Sequence, residues 1–226
     1  MRLDRVCYAA EPDGLLATAR RLGSAIGVQP VEGGVQPRLG SRTMVLPLAG
    51  SHCVEIVEAL EHPATLRMPF GQAVRARTRS GGGWLTWVVT VDDAVLVERC
   101  PGRTVTAVHR RGADGGLACW RQLGAAGSAS GGPDTAGSAT AGPDVDPQLP
   151  FLTSPGHGVG PRELRVCGSA RLSVLRISGS PHRVTSSLGE PGDRLLEDVE
   201  VEWVAPSGTP GLLEVCFETP AGPVVR

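Results

Sequence analysis

Residues 3–9, LDRVCYA, are the stretch on which the fold turns. Leu3, Arg5, Cys7 and Ala9 alternate with Asp4, Val6 and Tyr8, the period-two spacing of a β-strand. Apolar residues fall on both sides, so the strand is expected to be buried on both faces. Arg5 then puts a permanent charge in its middle. Downstream, Pro12 and Asp13 signal a helix start, Leu15, Ala19, Leu22 and Ile26 recur at helical spacing, and Gly27 supplies the stop. A Gly/Pro-rich connection, VEGGVQPRLG (31–40), leads to an apolar run, RTMVLPLA (42–49), a turn at Gly50 and Ser51, and the strand HCVEIVEAL (52–60). The first 60 residues thus spell β, α and two or three strands.

The order then restarts. After a short helix expected around FGQAVRARTRS (70–80) and a glycine hinge at Gly81 to Gly83, LTWVVTVDDAVLVE (85–98) lines up with LDRVCYAAEPDGLLA (3–17). In that register Leu85 matches Leu3, Trp87 matches Arg5 and Val89 matches Cys7, with Pro101 and Gly102 ending the helix. RTVTAVHRR, LACWRQLG and QLPFLTS are the further strands, and a repeated module is the physical reading. A third round begins at RLSVLRISG (171–179). Ser180 is expected as N-cap and Pro181 as first helical residue, Val184 and Leu188 face inward, and Gly189 ends the turn. DVEVEWVA and GLLEVCFETPAGPVV follow as strands.

The expected organisation is therefore a first βαβββ module with its linking helix over 1–80 and a second over 81–155. A C-terminal partial βαββ module over 162–226 packs on the same domain. Low-complexity Gly/Ala/Ser/Pro sequence at about 124–146 interrupts the second module and is expected to be a mobile insertion without function.

Composition narrows the function classes. Of 226 residues 41% are hydrophobic, ample for a core, and 22 basic against 23 acidic residues leave a formal charge of −1. That balance lacks the excess of a nucleic-acid binder, and the exclusive use of arginine reflects GC-rich coding rather than phosphate recognition. No apolar run is long enough to span a bilayer, so the chain is expected to be a cytoplasmic protein, a monomer or homodimer, without nucleic-acid or membrane partners. The six cysteines are scattered singly and are expected as buried thiols, not a disulfide framework or zinc site.

LDRVCYA, GGVQPRLGSRTMVLPLA, HCVEIVEALEHP, PFGQAVRAR, GGGWLTWVV and DPQLPF together resemble the glyoxalase-like domains of the vicinal oxygen chelate superfamily. The resemblance runs through residues 2 to 152 apart from the insertion. It implies an α+β fold in which tandem βαβββ modules curl their sheets into a cup. It also implies a divalent metal on the cup floor, held by His or Glu from the first and last strand of each module and acting as a Lewis acid.

Carried over position by position, that ligand set is depleted. The first-strand histidine corresponds to Arg5, which offers no lone pair. The fourth-strand carboxylate is present as Glu55, on the same face as Cys53 and Val57. The second module offers Trp87, which cannot coordinate an ion, and a position near Ser154. His52, His109 and His157 are the nearby histidines that could be recruited instead. The expectation is that no metal is bound and that an Arg5–Glu55 ion pair takes its place. The pair either serves a small-molecule site or neutralises a relict polar cavity.

The ligand-binding candidates are Arg5, Cys7, Glu55, Trp87, Gln122 and Ser154, with Trp87 equally readable as core, as are Trp84 and Trp120. If the site is catalytic, Glu55 is the candidate base and Arg5 the candidate anion stabiliser. The rival readings are a metal-dependent lyase, isomerase or dioxygenase of the same superfamily, and a non-catalytic interaction scaffold. No GxSxG elbow, HExxH motif, Walker loop or dinucleotide fingerprint offers other chemistry.

Overall fold

In the computed structural model, which describes residues 1–92, 105–112, 115–123, 146–154, 168–188, 195–205 and 207–226, β1 (Arg2–Ala9) is paired along both edges. One neighbour is β4 (Cys53–Ala59), parallel to it; the other is β5 (Gly83–Thr90), antiparallel. The remaining strands are β2 (Val31–Gln36), β3 (Ser41–Pro47), β6 (Thr106–Arg111), β7 (Leu117–Leu123) and β8 (Phe151–Ser154). The strands β1-β4-β3-β2-β6-β7-β8-β5 form a closed barrel. Its halves have the same internal order: β1-β4-β3-β2 becomes β5-β8-β7-β6 when four is added to each number. That is a repeated module, joined to its copy antiparallel at β1–β5 and at β2–β6. The sheet curls until it shuts, so the cup is a barrel without free edges.

Helix α1 (Leu15–Ile26) buries Leu15, Ala19, Leu22 and Ile26 and ends on Gly27, as the apolar spacing predicts. The segment VEGGVQ is not a connection but β2. Gly33 and Gly34 are small so that neighbouring strands can approach: a Cβ on either would lie 2.2 Å from an oxygen, the hydroxyl of Thr43 or the carbonyl of Arg111. The short α2 (Pro63–Arg67) leads into α3 (Pro69–Arg79), whose Phe70, Ala73 and Val74 join Cys7, Val57, Val88 and Phe151 in the cluster inside the barrel. Phe70 meets Phe151 edge-to-face at 5.7 Å.

The C-terminal part contains β9 (Arg171–Ser178), α4 (Pro181–Leu188), β10 (Glu200–Ala205), β11 (Gly211–Thr219) and the short β12 (Gly222–Val225). The succession β, α, β, β is the expected one, but the sheet order is β10-β9-β11-β12, not that of the barrel halves. Strand β10 returns from α4 directly to the edge of β9, and β11 takes the other edge. Val6, Trp84, Trp87 and Val89 from the outside of the barrel share one core cluster with Leu175, Ile177, Leu188, Val215 and Phe217. Each such side chain taken wholly out of water contributes about 1.5–3 kcal/mol. This sheet is why β1 is buried on its outer as well as its inner face. The helix expected after β5, the insertion to residue 145, Cys100, Cys167, Gly189 and His157 lie outside the described residues.

Candidate functional site

Parallel pairing of β1 with β4 sets Arg5 beside Cys53 and Cys7 beside Glu55, so the arginine and the carboxylate meet across adjacent strands on the inner wall. Arg5 Nε donates to Glu55 Oε2 at 2.8 Å, and Arg5 Nη1 donates to the carboxylate of Asp4. Both partners of the central pair are about 95% buried at their side chains. Gln36 Nε2 donates to the other Glu55 oxygen at 2.9 Å, and Ser41 Oγ donates to Gln36 Oε1 at 3.0 Å. Cys7 Sγ lies 3.8 Å from Glu55 Oε2. Across the barrel, the ring of Trp120 faces the Arg5 guanidinium at 5.8 Å, and its indole N–H donates to Gln122 Oε1 at 3.1 Å. A second arginine, Arg110 of β6, is equally buried and brings Nη1 to 3.9 Å from Glu55 Oε1.

Burial opposes the charge of Arg5, but Glu55 and Asp4 outweigh it and hold the guanidinium more firmly protonated than a free arginine. Arg110 goes the other way: burial lowers its pKa, and the shared Glu55 compensates only partly. Burial, and after it the Glu55 carboxylate, push the Cys7 thiol well up, which makes it an inert buried thiol rather than a nucleophile. Cys7, Cys53, Cys119 and Cys216 are all free.

Arg5, Cys7, Glu55 and Gln122 therefore come together, whereas Trp87 and Ser154 do not join them. Trp87 stands opposite Val6 on the outer face, wholly buried in the inter-sheet core, with its indole N–H donated to the Gln148 carbonyl at 3.1 Å. The inward position opposite Arg5 belongs to Val88. On β8 the residue opposite Gln122 is Thr153, which puts its neighbour Ser154 on the outward side with Leu152. Each correction is a slip of one residue, and β-bulges in the β1–β5 pairing, between Leu3 and Arg5 and between Cys7 and Tyr8, account for the shift in β5. Trp120, Gln36 and Arg110 complete the site. Arg110 had a legible signal, since Val108 and Arg110 repeat in β6 the apolar-then-charged alternation of Leu3 and Arg5.

The donors do not fit a divalent cation. Glu55 already accepts hydrogen bonds on both oxygens, Arg5 occupies the adjacent position, and valine and threonine stand at the second-module positions. Among the described residues, no group of three or more His, Cys, Asp and Glu side chains is placed to hold a metal ion. His52 is turned away from the barrel interior: its Nε2 lies 2.8 Å from Asp198 Oδ2, tying the start of β4 to the C-terminal part.

A family profile described as a glyoxalase-like domain matches residues 3–190. The chain belongs to the glyoxalase-like domain family. The fold recurs in a hypothetical protein from Staphylococcus aureus at 10% identity and a TM-score of 0.64, covering 96% of this chain and 90% of that one. Methylmalonyl-CoA epimerase from Mycobacterium tuberculosis matches at 18% identity, 69% and 89% coverage and a TM-score of 0.41. A single-residue variant of the Streptomyces coelicolor epimerase, in complex with 2-nitronate-propionyl-CoA, gives 16%, 70%, 99% and 0.41. No curated protein matches the chain. No helix among the described residues is long and apolar enough to cross a membrane.

Proposed function

We propose that this glyoxalase-like protein binds a small organic carboxylate inside the barrel, with the Arg5–Glu55 pair standing where the family's metal would be. The observation that carries the reading is Arg110. Its guanidinium is buried, and its charged neighbour, Glu55, is 3.9 Å away and already bonded to Arg5 and Gln36. A carboxylate answers both the unspent charge and the planar fork of donors. Trp120, whose ring faces Arg5, adds aromatic surface to the same inner wall, which favours a flat or partly aromatic body. Asp4 bonds to Arg5 and Glu55 is shared between the two guanidiniums, so among the described residues Arg110 has no carboxylate at hydrogen-bond distance.

Binding is favoured over acid–base catalysis because a base needs a free lone pair within reach of its substrate, whereas Glu55 Oε2 faces Arg5 and Cys7 and Oε1 faces Gln36 and Arg110. Arg5, doubly paired, acts by holding Glu55 in place; Arg110 is the group that meets the ligand. Thermal-shift screening of the full chain against small carboxylates tests this, because a ligand at 100 times its Kd raises stability by about 2.7 kcal/mol. Stabilisation by at least one carboxylate, lost in Arg110→Met, is the expected result. A panel in which neutral amides stabilise as well as their parent acids, or in which Arg110→Met responds like the parent protein, overturns the reading.

A further inference from the structure

Gly81 and Gly82, between α3 and β5, and Gly83, the first residue of β5, all have positive φ, at 101°, 80° and 120°. At Gly83 the missing side chain has a use. A Cβ there would come within 2.3 Å of Arg77 Nη2 and 3.0 Å of its Cζ, so glycine lets the guanidinium lie across the start of β5. Arg77 Nε is buried without a hydrogen-bond partner, and among the described residues no carboxylate reaches ion-pairing distance of this side chain. The side chain as a whole is only partly buried, but a buried N–H without an acceptor is costly, and the surroundings of Arg77 define which acceptor would suit it.

Arg77 forms one wall of a cavity of about 150 Å³ between the barrel and the C-terminal sheet. The other walls include Trp84, Leu85, Pro147, Pro210 and Leu212. The Trp84 indole N–H is already engaged by the Arg226 carbonyl oxygen at 2.7 Å, so its ring is what the cavity meets. A cavity of this size holds a benzene-sized ring. Arg5, Glu55 and Arg110 are not among the lining residues, so this is a different place from the barrel interior.

The geometry points to a second binding site, at the junction of α3, β5 and β11, for a small aromatic carboxylate whose oxyanion pairs with Arg77 and whose ring rests against Trp84 and Pro210. Such a ligand gives Arg77 the bidentate partner it lacks and fills apolar volume at the same time.

Isothermal titration of the full chain with sodium benzoate tests the site, with benzamide and inorganic phosphate as controls. At least one benzoate whose binding depends on Arg77 is expected, with benzamide weaker there by about tenfold or more, since a hydrogen bond to a charged group carries at least that factor, and phosphate weaker because it leaves the apolar walls unfilled. Arg77→Met should weaken benzoate about tenfold while leaving the circular dichroism spectrum unchanged. Thr209→Trp, at the exposed rim, should abolish binding with Arg77 intact. In Arg110→Met, which removes the barrel's ligand-binding arginine, the Arg77-dependent benzoate should persist with affinity within about twofold, because distant sites act independently. Absence of benzoate binding, equal binding of benzamide, or full affinity in Arg77→Met overturns the site. Loss in Arg110→Met without loss in Arg77→Met does so too, by moving the ligand into the barrel and leaving the barrel reading standing.

Discussion

Asp4, Arg5 and Glu55 inside the barrel and Glu202, Arg176 and Glu214 on the C-terminal sheet are one arrangement in two settings. Each arginine sits in the strand that opens its βα unit and bonds to two carboxylates: Arg176 Nε to Glu202 at 2.8 Å and Nη1 to Glu214 at 2.9 Å. The exposures differ. Arg5 and Glu55 are 5% and 4% exposed, against 34%, 40% and 47% for Arg176, Glu202 and Glu214. Carboxylate neighbours raise the pKa of both arginines, but Arg5 achieves this against strong desolvation and Arg176 almost without it. Hydrogen-bond geometry therefore does not set the worth of an ion pair; what sets it is whether water can replace a lost partner.

The largest effect expected from this contrast is at Glu55. Glu55→Ala leaves buried Arg5 with Asp4 alone and takes the carboxylate from buried Arg110, and should lower stability in urea denaturation by about 3–5 kcal/mol. Glu202→Ala should leave the midpoint unmoved. Equal losses at the two sites would break the comparison. Replacing Arg5 and Glu55 together, by Met and Leu, should recover only part of the loss, because the pair's own desolvation is removed while buried Arg110 still lacks its carboxylate. A double variant as unstable as Glu55→Ala would mean that packing, not stranded charge, governs the site.

The inside–outside placement of β5 is tested more gently by Trp87→Phe. It leaves the buried Gln148 carbonyl without its donor and should cost about 1–3 kcal/mol, yet leave carboxylate affinity in the barrel unchanged. An altered ligand affinity would return Trp87 to the inner wall.

The smallest effect concerns Tyr8, the chain's one tyrosine, half-buried against Trp84 and hydrogen-bonded to Glu11. Burial, then the Glu11 hydrogen bond, push its pKa up to about 12 from an ordinary value near 10. Because the folded value is raised, its contribution to stability is complete below about pH 10 and fades as the pH climbs through about 12. Phenolate absorbance should show that late titration in the folded protein and an ordinary one in denaturant. Coincident titrations would contradict the packing of Tyr8 beneath the C-terminal sheet.

How much of this was legible depends on how local each signal is. The Arg5–Glu55 pair was, because strand alternation fixes which residues share a face and the repeated module sets β1 beside β4. Trp87 is misplaced by one residue because two bulges in the β1–β5 pairing shift the register without any mark in the letters around it, and Ser154 because the short β8 carries no local signal that fixes its register against β7. Gln36 was hidden because VEGGVQ has the composition of a loop, its glycines serving close strand approach. The order β10-β9-β11-β12 was not legible, because it is decided by which edge of β9 is free after α4 returns, a tertiary choice.

The central claim, that a charge pair holds the place of a metal, is tested most directly by the metal content of untagged protein, measured by elemental analysis beside Arg5→His. The account predicts no stoichiometric Zn, Ni, Mn or Fe in the parent chain even after incubation with the ion and dialysis, and raised divalent-ion affinity once Arg5→His supplies an imidazole beside Glu55. One equivalent of metal in the parent protein, lost in Glu55→Gln, would contradict it.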